Sequence, residues 1–158
     1  MNKVDSQLLV IFGASGDLTT RKLLPGVFVL HQKLLLPHNF CILGAARTQH
    51  TDEEYRLLMR DHLLEELKNK ICSPALIDSF LKRVFYLSFD SNDSSDYDKL
   101  KEKIDLLQQQ EKLEDRILYY LATPPIMYER IPTFLKENGL NVTKTHDGWR
   151  RIIVEKPF

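Results

Sequence analysis

Leu9-Val-Ile-Phe-Gly13-Ala-Ser-Gly16-Asp-Leu-Thr-Thr-Arg-Lys-Leu-Leu24 is the stretch on which the reading of the fold turns. An apolar, β-branched run enters two glycines and then an amphipathic pattern, the order expected of strand, tight turn and helix. Gly13 permits the turn, and the small Ala14, Ser15 and Gly16 let an anion approach the backbone. The helix that follows presents unpaired N–H groups and the positive end of its dipole to that anion. The spacing is GxxGxL and falls short of GxGxxG, so the letters alone serve a phosphate cradle or a plain strand-to-helix turn. Asp17 puts a negative charge beside the proposed anion. It either caps the helix or turns its side chain away. Nothing in the chain matches GxxxxGK[ST], which argues against a nucleotide-hydrolysing phosphate loop.

Working outward, further apolar runs of five or six residues recur at 40–45, 84–89, 117–122 and 151–155, after the first at 8–12. Continuous apolar runs of this length suit strands buried on both faces of a parallel sheet. Helical patterns lie between them. Residues 18–33 place Leu23, Val27 and Leu30 on one stripe, with Pro25 expected to kink or delay the helix. Residues 52–70 open on a capping box, Thr51-Asp-Glu-Glu54, and are read as burying Leu57, Leu58, Leu63, Leu64 and Leu67. Segments 73–82, 95–110 and 125–138 are further helices, Pro125 in the first turn of the last and Gly139 its stop. Five strands alternating with helices predict an α/β fold, a Rossmann-like doubly wound parallel sheet in three αβα layers. Residues 93–98 read as a solvated acidic loop, so 1–158 is taken as one domain.

The chain has 158 residues, 43% of them hydrophobic, which is ample for one core. Lys plus Arg equals Asp plus Glu at 22 each, so no overall field attracts nucleic acid or an anionic membrane. The first apolar run is too short for a leader peptide or a membrane span. Cys41 and Cys72 have neither CxxC spacing nor a histidine pair beside them. They read as buried free thiols of a cytoplasmic protein, with no metal site expected and Asn141-Val-Thr143 a chance sequon.

The second strand decides which dinucleotide the loop would hold. It ends Leu43-Gly-Ala-Ala-Arg47-Thr48, with no carboxylate before Asp52. An acid at this place bonds a ribose 2′-hydroxyl, whereas Arg47 would pair a 2′-phosphate and no acid would repel it, so NADP is expected over NAD. Without the loop upstream, Arg47 would be an ordinary surface arginine.

Gly13-Ala-Ser-Gly-Asp-Leu18 followed by Arg21-Lys-Leu-Leu-Pro25 closely resembles the opening of the glucose-6-phosphate dehydrogenases. Gly44-Ala-Ala-Arg47 resembles that family's second-strand end, and Tyr120-Leu-Ala-Thr-Pro-Pro125 with Tyr128 its fourth strand and following helix. Trp149-Arg-Arg-Ile-Ile-Val-Glu-Lys-Pro-Phe158 resembles its fifth strand and Glu-Lys-Pro motif. The resemblance runs from Leu8 to the end. It implies that Gly13, Ala14, Ser15, Gly16, Asp17 and Leu18 hold the pyrophosphate of NADP, that Arg47 holds the 2′-phosphate, and that Tyr128 contacts the nucleotide. Lys156 would reach both cofactor and the substrate, glucose 6-phosphate, and Lys156-Pro157 resembles the family's cis-proline bond. Asp90 and Ser91 fall where the family contacts nucleotide after its third strand, but that stretch matches the family too loosely to carry a role over to them. The reaction implied is oxidation of glucose 6-phosphate to 6-phosphogluconolactone, in the pentose phosphate route, by a dimer or tetramer. The family's catalytic histidine and dimerising β+α domain come later than Phe158, so none of His31, His38, His50, His62 and His146 is assigned as base, and all are read as solvent-facing. The chain alone is expected to be inactive.

Two other readings compete. Tyr97-Asp-Lys-Leu-Lys101 has the Tyr-x-x-x-Lys spacing of short-chain dehydrogenases, but it follows the third strand and reads as the surface start of a helix. A non-catalytic NADP-binding sensor module is the alternative outside enzymes. It predicts a polar or covered sheet edge.

Overall fold

The computed structural model describes residues 5–156. Five strands, β1 (Gln7–Phe12), β2 (Phe40–Ala46), β3 (Val84–Ser88), β4 (Arg116–Leu121) and β5 (Trp149–Val154), form one sheet in the order β3-β2-β1-β4-β5. Every neighbouring pair is parallel, with Val10 facing Leu43 on one side and Tyr119 on the other. The helices are α1 (Leu24–Gln32), α2 (Asp52–Glu66), α3 (Pro74–Leu81), α4 (Asp96–Gln110) and α5 (Met127–Glu137).

Alternate residues of each strand feed two cores. Leu8, Val10 and Phe12 pack with Leu100, Ile104 and Ile131 of α4 and α5. Leu9 and Ile11 pack with Phe28, Met59 and Phe80 of α1, α2 and α3. The expected three-layer, doubly wound α/β sheet is therefore present. Among the described residues, no helix is long and apolar enough to cross a membrane.

Local chemistry accounts for the helix ends. Thr51 Oγ1 accepts from Glu54 N–H at 3.1 Å and Glu54 Oε1 accepts from Thr51 N–H at 3.0 Å, the reciprocal box read from sequence. Gly139, at φ +71°, ends α5 in a Schellman motif. Its N–H donates to Lys136 O at 3.1 Å and Leu140 N–H to Leu135 O at 2.8 Å.

Of the two outcomes expected of Pro25, a kink or a delayed start, α1 shows the second, its regular turns beginning at Leu24 instead of Leu18. The chain takes a π-helical turn over Thr19–Leu23 just before it, Leu24 N–H reaching Thr19 O, and Pro25 falls in the first turn of α1, where a missing N–H costs little. Several expectations need correcting. Leu24 and Phe28 are the buried residues of α1, with Leu23, Val27 and Leu30 only partly buried beside them. In α2 the inward stripe is Tyr55, Met59 and Leu63, continued by Leu67, while Leu57, Leu58 and Leu64 face solvent. The spacing of four sets that face, and the leucines outside it have no core to meet. Pro125 precedes α5, in the turn where its carbonyl accepts from Tyr128 N–H at 3.0 Å. β5 is not buried on both faces, because it is an edge strand and Ile152, Ile153 and Val154 are exposed. Cys41 is buried, its thiol pushed up to about 12 by that burial, but Cys72 is only half-buried. Tyr97 lies in the core under Phe89 and Phe134, donating to Ser91 O at 3.0 Å, and Lys101 is exposed. That pair is not a catalytic dyad.

A candidate nucleotide crevice at the carboxyl ends of the strands

In an open parallel sheet, ligands bind beyond the carboxyl ends of the strands where the winding reverses. Here that point lies between β1 and β4. A crevice of about 310 Å³ opens there, lined by Gly13, Ser15 and Gly16 after β1 and by Ala46, Arg47 and Thr48 after β2. Asp90, Ser91 and Asn92 after β3, and Ala122, Thr123 and Pro124 after β4, line its other sides.

The first loop is a tight turn held close against the end of β4. Gly13 sits at φ +87°, and a Cβ there would lie 2.1 Å from Ala122 O, so both the turn and the strand packing demand glycine. Its N–H and that of Ala14 both donate to Ala45 O, at 3.0 and 3.2 Å. Thr19 Oγ1 donates to Gly13 O at 3.0 Å, and Thr20 Oγ1 to Gly16 O at 3.2 Å. The turn is thus closed by its own hydrogen bonds, and the amides of the first helical turn, at Asp17 and Leu18, are left without intrahelical acceptors.

The predicted residues are distributed unevenly around this crevice. Gly13, Ser15, Gly16 and Arg47 line it together, and Asp90 and Ser91 join them. Ala14 is fully buried beneath the loop. Asp17 is exposed and reaches Arg21 at 4.0 Å, so its carboxylate turns away and no side-chain bond caps the helix. Leu18 is half-buried outside the lining. Tyr128 also lies outside it, its hydroxyl donating to Glu155 O at 3.1 Å, which ties α5 to the exit of β5. Lys156 follows that exit, exposed and outside the lining. The Lys156-Pro157 bond lies outside the described residues. Of the histidines, His38, His62 and His146 are exposed. His31 and His50 are half-buried, His31 bonded to Ser79 Oγ at 2.9 Å and His50 edge-on to Tyr86.

The electrostatics favour an anion at Arg47. Arg47 is exposed, and none of the ion pairs among the described residues uses it. Asp52, the first acid after β2, is committed elsewhere, accepting from Tyr86 N–H at 2.7 Å and pairing Lys103 at 3.3 Å. Asp90 accepts from Asn92 N–H at 2.9 Å and so holds its own loop.

Sequence reading missed the groups that fasten these loops. Tyr55 donates to Ala14 O at 2.8 Å, and Tyr86 bonds the main chain on both sides of Arg47. Thr123 Oγ1 is buried with no partner among the described residues, a polar atom left over for a ligand. Only Gly44 gave a signal. A Cβ there would lie 2.8 Å from Ala14 Cβ and 3.1 Å from the Tyr55 hydroxyl, marking a close approach of β2 to the loop.

The geometry agrees with what the chain is similar to. The family described as glucose-6-phosphate dehydrogenase, NAD binding domain, matches residues 10–158. Glucose-6-phosphate 1-dehydrogenase of Aggregatibacter actinomycetemcomitans is 42% identical over 156 residues, covering 99% of this chain and 31% of its own length. That of Treponema pallidum (strain Nichols) is 39% identical over 155 residues, covering 98% and 30%. A solved glucose-6-phosphate dehydrogenase in complex with its substrate glucose-6-phosphate superimposes with a TM-score of 0.79 at 31% identity, over 100% of this chain and 32% of that one. The Mycobacterium avium enzyme gives 0.78 at 31% identity, over 97% and 30%. The chain spans about a third of the length of the relatives it matches. It belongs to the glucose-6-phosphate dehydrogenase family and carries that family's nucleotide-binding domain.

Proposed function

We propose that the crevice holds NADP, with the pyrophosphate on the loop from Gly13 to Leu18 and the 2′-phosphate against Arg47. Family membership implies NADP as cofactor. The observation that carries the site assignment is the pairing of an uncommitted arginine with a glycine turn at the switch point of the sheet. The unpartnered Thr123 hydroxyl fits a polar ligand in the same crevice. When bound, NADP supplies a hydride acceptor, and the complete protein oxidises glucose 6-phosphate to the lactone, as a cytoplasmic dimer or tetramer. This chain's own work is to bind and orient. The ammonium of Lys156, beyond the end of β5, donates to a substrate hydroxyl and to cofactor. The base is a histidine of the remaining domain, so the chain alone makes no NADPH from glucose 6-phosphate.

Calorimetric titration of NADPH and NADH into the chain, with Arg47→Ala alongside, tests this. Charge-assisted bonds to a phosphate are each worth roughly 1.5–3 kcal/mol, so NADPH should bind at least about tenfold tighter and the variant should lose that margin. Equal affinities in the wild type, or a margin untouched by Arg47→Ala, would overturn the assignment.

A further inference from the structure

Ala46, Arg47 and Thr48 present three consecutive carbonyls, and β3 or the residue after it bonds every one. The Tyr86 hydroxyl lies 2.9 Å from Ala46 O and 2.5 Å from Thr48 O, one on each side of Arg47, and shares its single proton between them. Ser88 Oγ donates to Arg47 O at 3.3 Å, and Phe89 N–H donates to Ala46 O at 2.8 Å. The backbone of the turn is therefore held at three successive peptides, and the side chains of Arg47 and Thr48 are left to face the crevice.

Tyr86 is itself held from three directions. Its ring stacks on Tyr55 with centroids 4.6 Å apart, and His50 meets it edge-on at 5.4 Å. Its N–H donates to Asp52 at 2.7 Å, which anchors it to the first turn of α2. Tyr55 in turn donates to Ala14 O, so the stacked pair joins the phosphate loop to the arginine turn. Burial pushes the Tyr86 phenol up to about 12, and it remains a donor at every physiological pH. Yet Tyr86 does not line the crevice.

We propose that Tyr86 is a positioning residue for cofactor selectivity, setting the preference for a 2′-phosphorylated dinucleotide through the one hydroxyl proton it shares between the carbonyls on either side of Arg47. The proposal rests on the reading that Arg47 receives the 2′-phosphate. Tyr55 holds the loop common to both dinucleotides, whereas Tyr86 holds only the turn that tells them apart. A rigid turn places the guanidinium once, before binding. A loose one must be ordered by the ligand, and that loss falls on the phosphorylated dinucleotide alone.

The test measures NADPH and NADH affinities for the wild-type chain, Tyr86→Phe, Ser88→Ala and Arg47→Ala, with thermal unfolding of each. Tyr86→Phe keeps the stacked ring and removes only the hydroxyl. From the usual net worth of a hydrogen bond, its NADPH affinity should fall about three- to tenfold while NADH affinity stays within about twofold. Ser88→Ala should show the same selective loss more weakly, and it carries the test if Tyr86→Phe does not fold. Equal weakening of both dinucleotides, or no change in their ratio, overturns the proposal while Arg47→Ala still abolishes the margin. If the wild type shows no margin and Arg47→Ala changes nothing, the assignment of Arg47 fails, and this proposal fails with it.

Discussion

Replacing Asp115 by alanine should be among the most destabilising single changes in the chain, although the residue lies at the opposite end of the sheet from the crevice. It precedes β4, with its side chain only 6% exposed, against Arg150 of β5 at 8%. Arg150 Nη2 donates to one carboxylate oxygen at 2.6 Å. The other accepts from the amides of Lys144 and of Thr145, the latter at 3.1 Å. The main-chain carbonyl of Asp115 accepts from Trp149 N–H at 3.1 Å and from Arg150 Nη1 at 3.0 Å. One residue thus fastens the connection after α5 and the first residues of β5 to β4. Removing one partner of a buried pair costs about 3–5 kcal/mol, because the other charge remains buried and unpaired. For a domain of this size each kcal/mol moves Tm by about 2–4 °C, so Asp115→Ala should lower it by roughly 6–20 °C at neutral pH.

The sign of the pH dependence follows from the same contacts. Burial pushes the Asp115 carboxyl up, but the Arg150 guanidinium and the two amides more than offset it and hold it below its ordinary 3.8. A group depressed on folding contributes stability that is present above its unfolded value and lost as pH falls through the folded one. The gap between wild type and Asp115→Ala, measured by circular dichroism melts, should therefore be full near neutrality and close only below 3.8. The paired change Asp115→Leu with Arg150→Met should cost much less than the sum of the two single changes. A loss below about 1 kcal/mol for Asp115→Ala, the range of an exposed pair, or simple additivity in the double variant, would refute this account.

Two glycine changes separate the loop from the turn. Gly13→Ala adds a methyl 2.1 Å from a backbone carbonyl at φ +87°, where nothing flexible can yield, so binding of both dinucleotides should vanish in the calorimeter. Retained affinity within threefold of wild type would show the loop is not the cradle. Gly44→Ala puts a methyl 2.8 Å from Ala14 Cβ and should cost about 1–3 kcal/mol in a thermal melt. It should weaken NADPH and NADH equally, and a selective loss of NADPH would contradict the division of labour between the two loops.

What the sequence disclosed depended on whether a contact had a local signature. The strands were legible because continuous apolar runs have few other uses in a domain of this size. Position within the sheet was not, since Ile152-Ile-Val154 reads as buried until the order places it at the edge. In α2 the helix was marked by its capping box, but leucines were counted where phase decides burial. Tyr55 and Arg56 show the consequence. The tyrosine is buried, while its neighbour reaches across to Val84 O at 2.7 Å. In the crevice, Gly13 and Arg47 announced themselves by residue type and by position after a strand. Tyr55 and Tyr86 could not, because each bonds main-chain carbonyls about 40 positions away in sequence, and a carbonyl leaves no mark in the letters.

That invisibility has a physical source. A dinucleotide site on a parallel sheet is made largely of backbone, and small residues are chosen so that the ligand can reach it. Small residues cannot hold a backbone in place by packing, so the holding falls to larger side chains underneath. Tyr55, Tyr86 and Thr19 do this here by placing hydroxyls on carbonyls of the loop and of the turn. Burial keeps both phenols as donors, and their stacking removes the freedom they would otherwise lose on forming those bonds. The ligand-facing groups then need to be few. A single exposed arginine can discriminate a phosphate from a hydroxyl, provided the turn beneath it does not move.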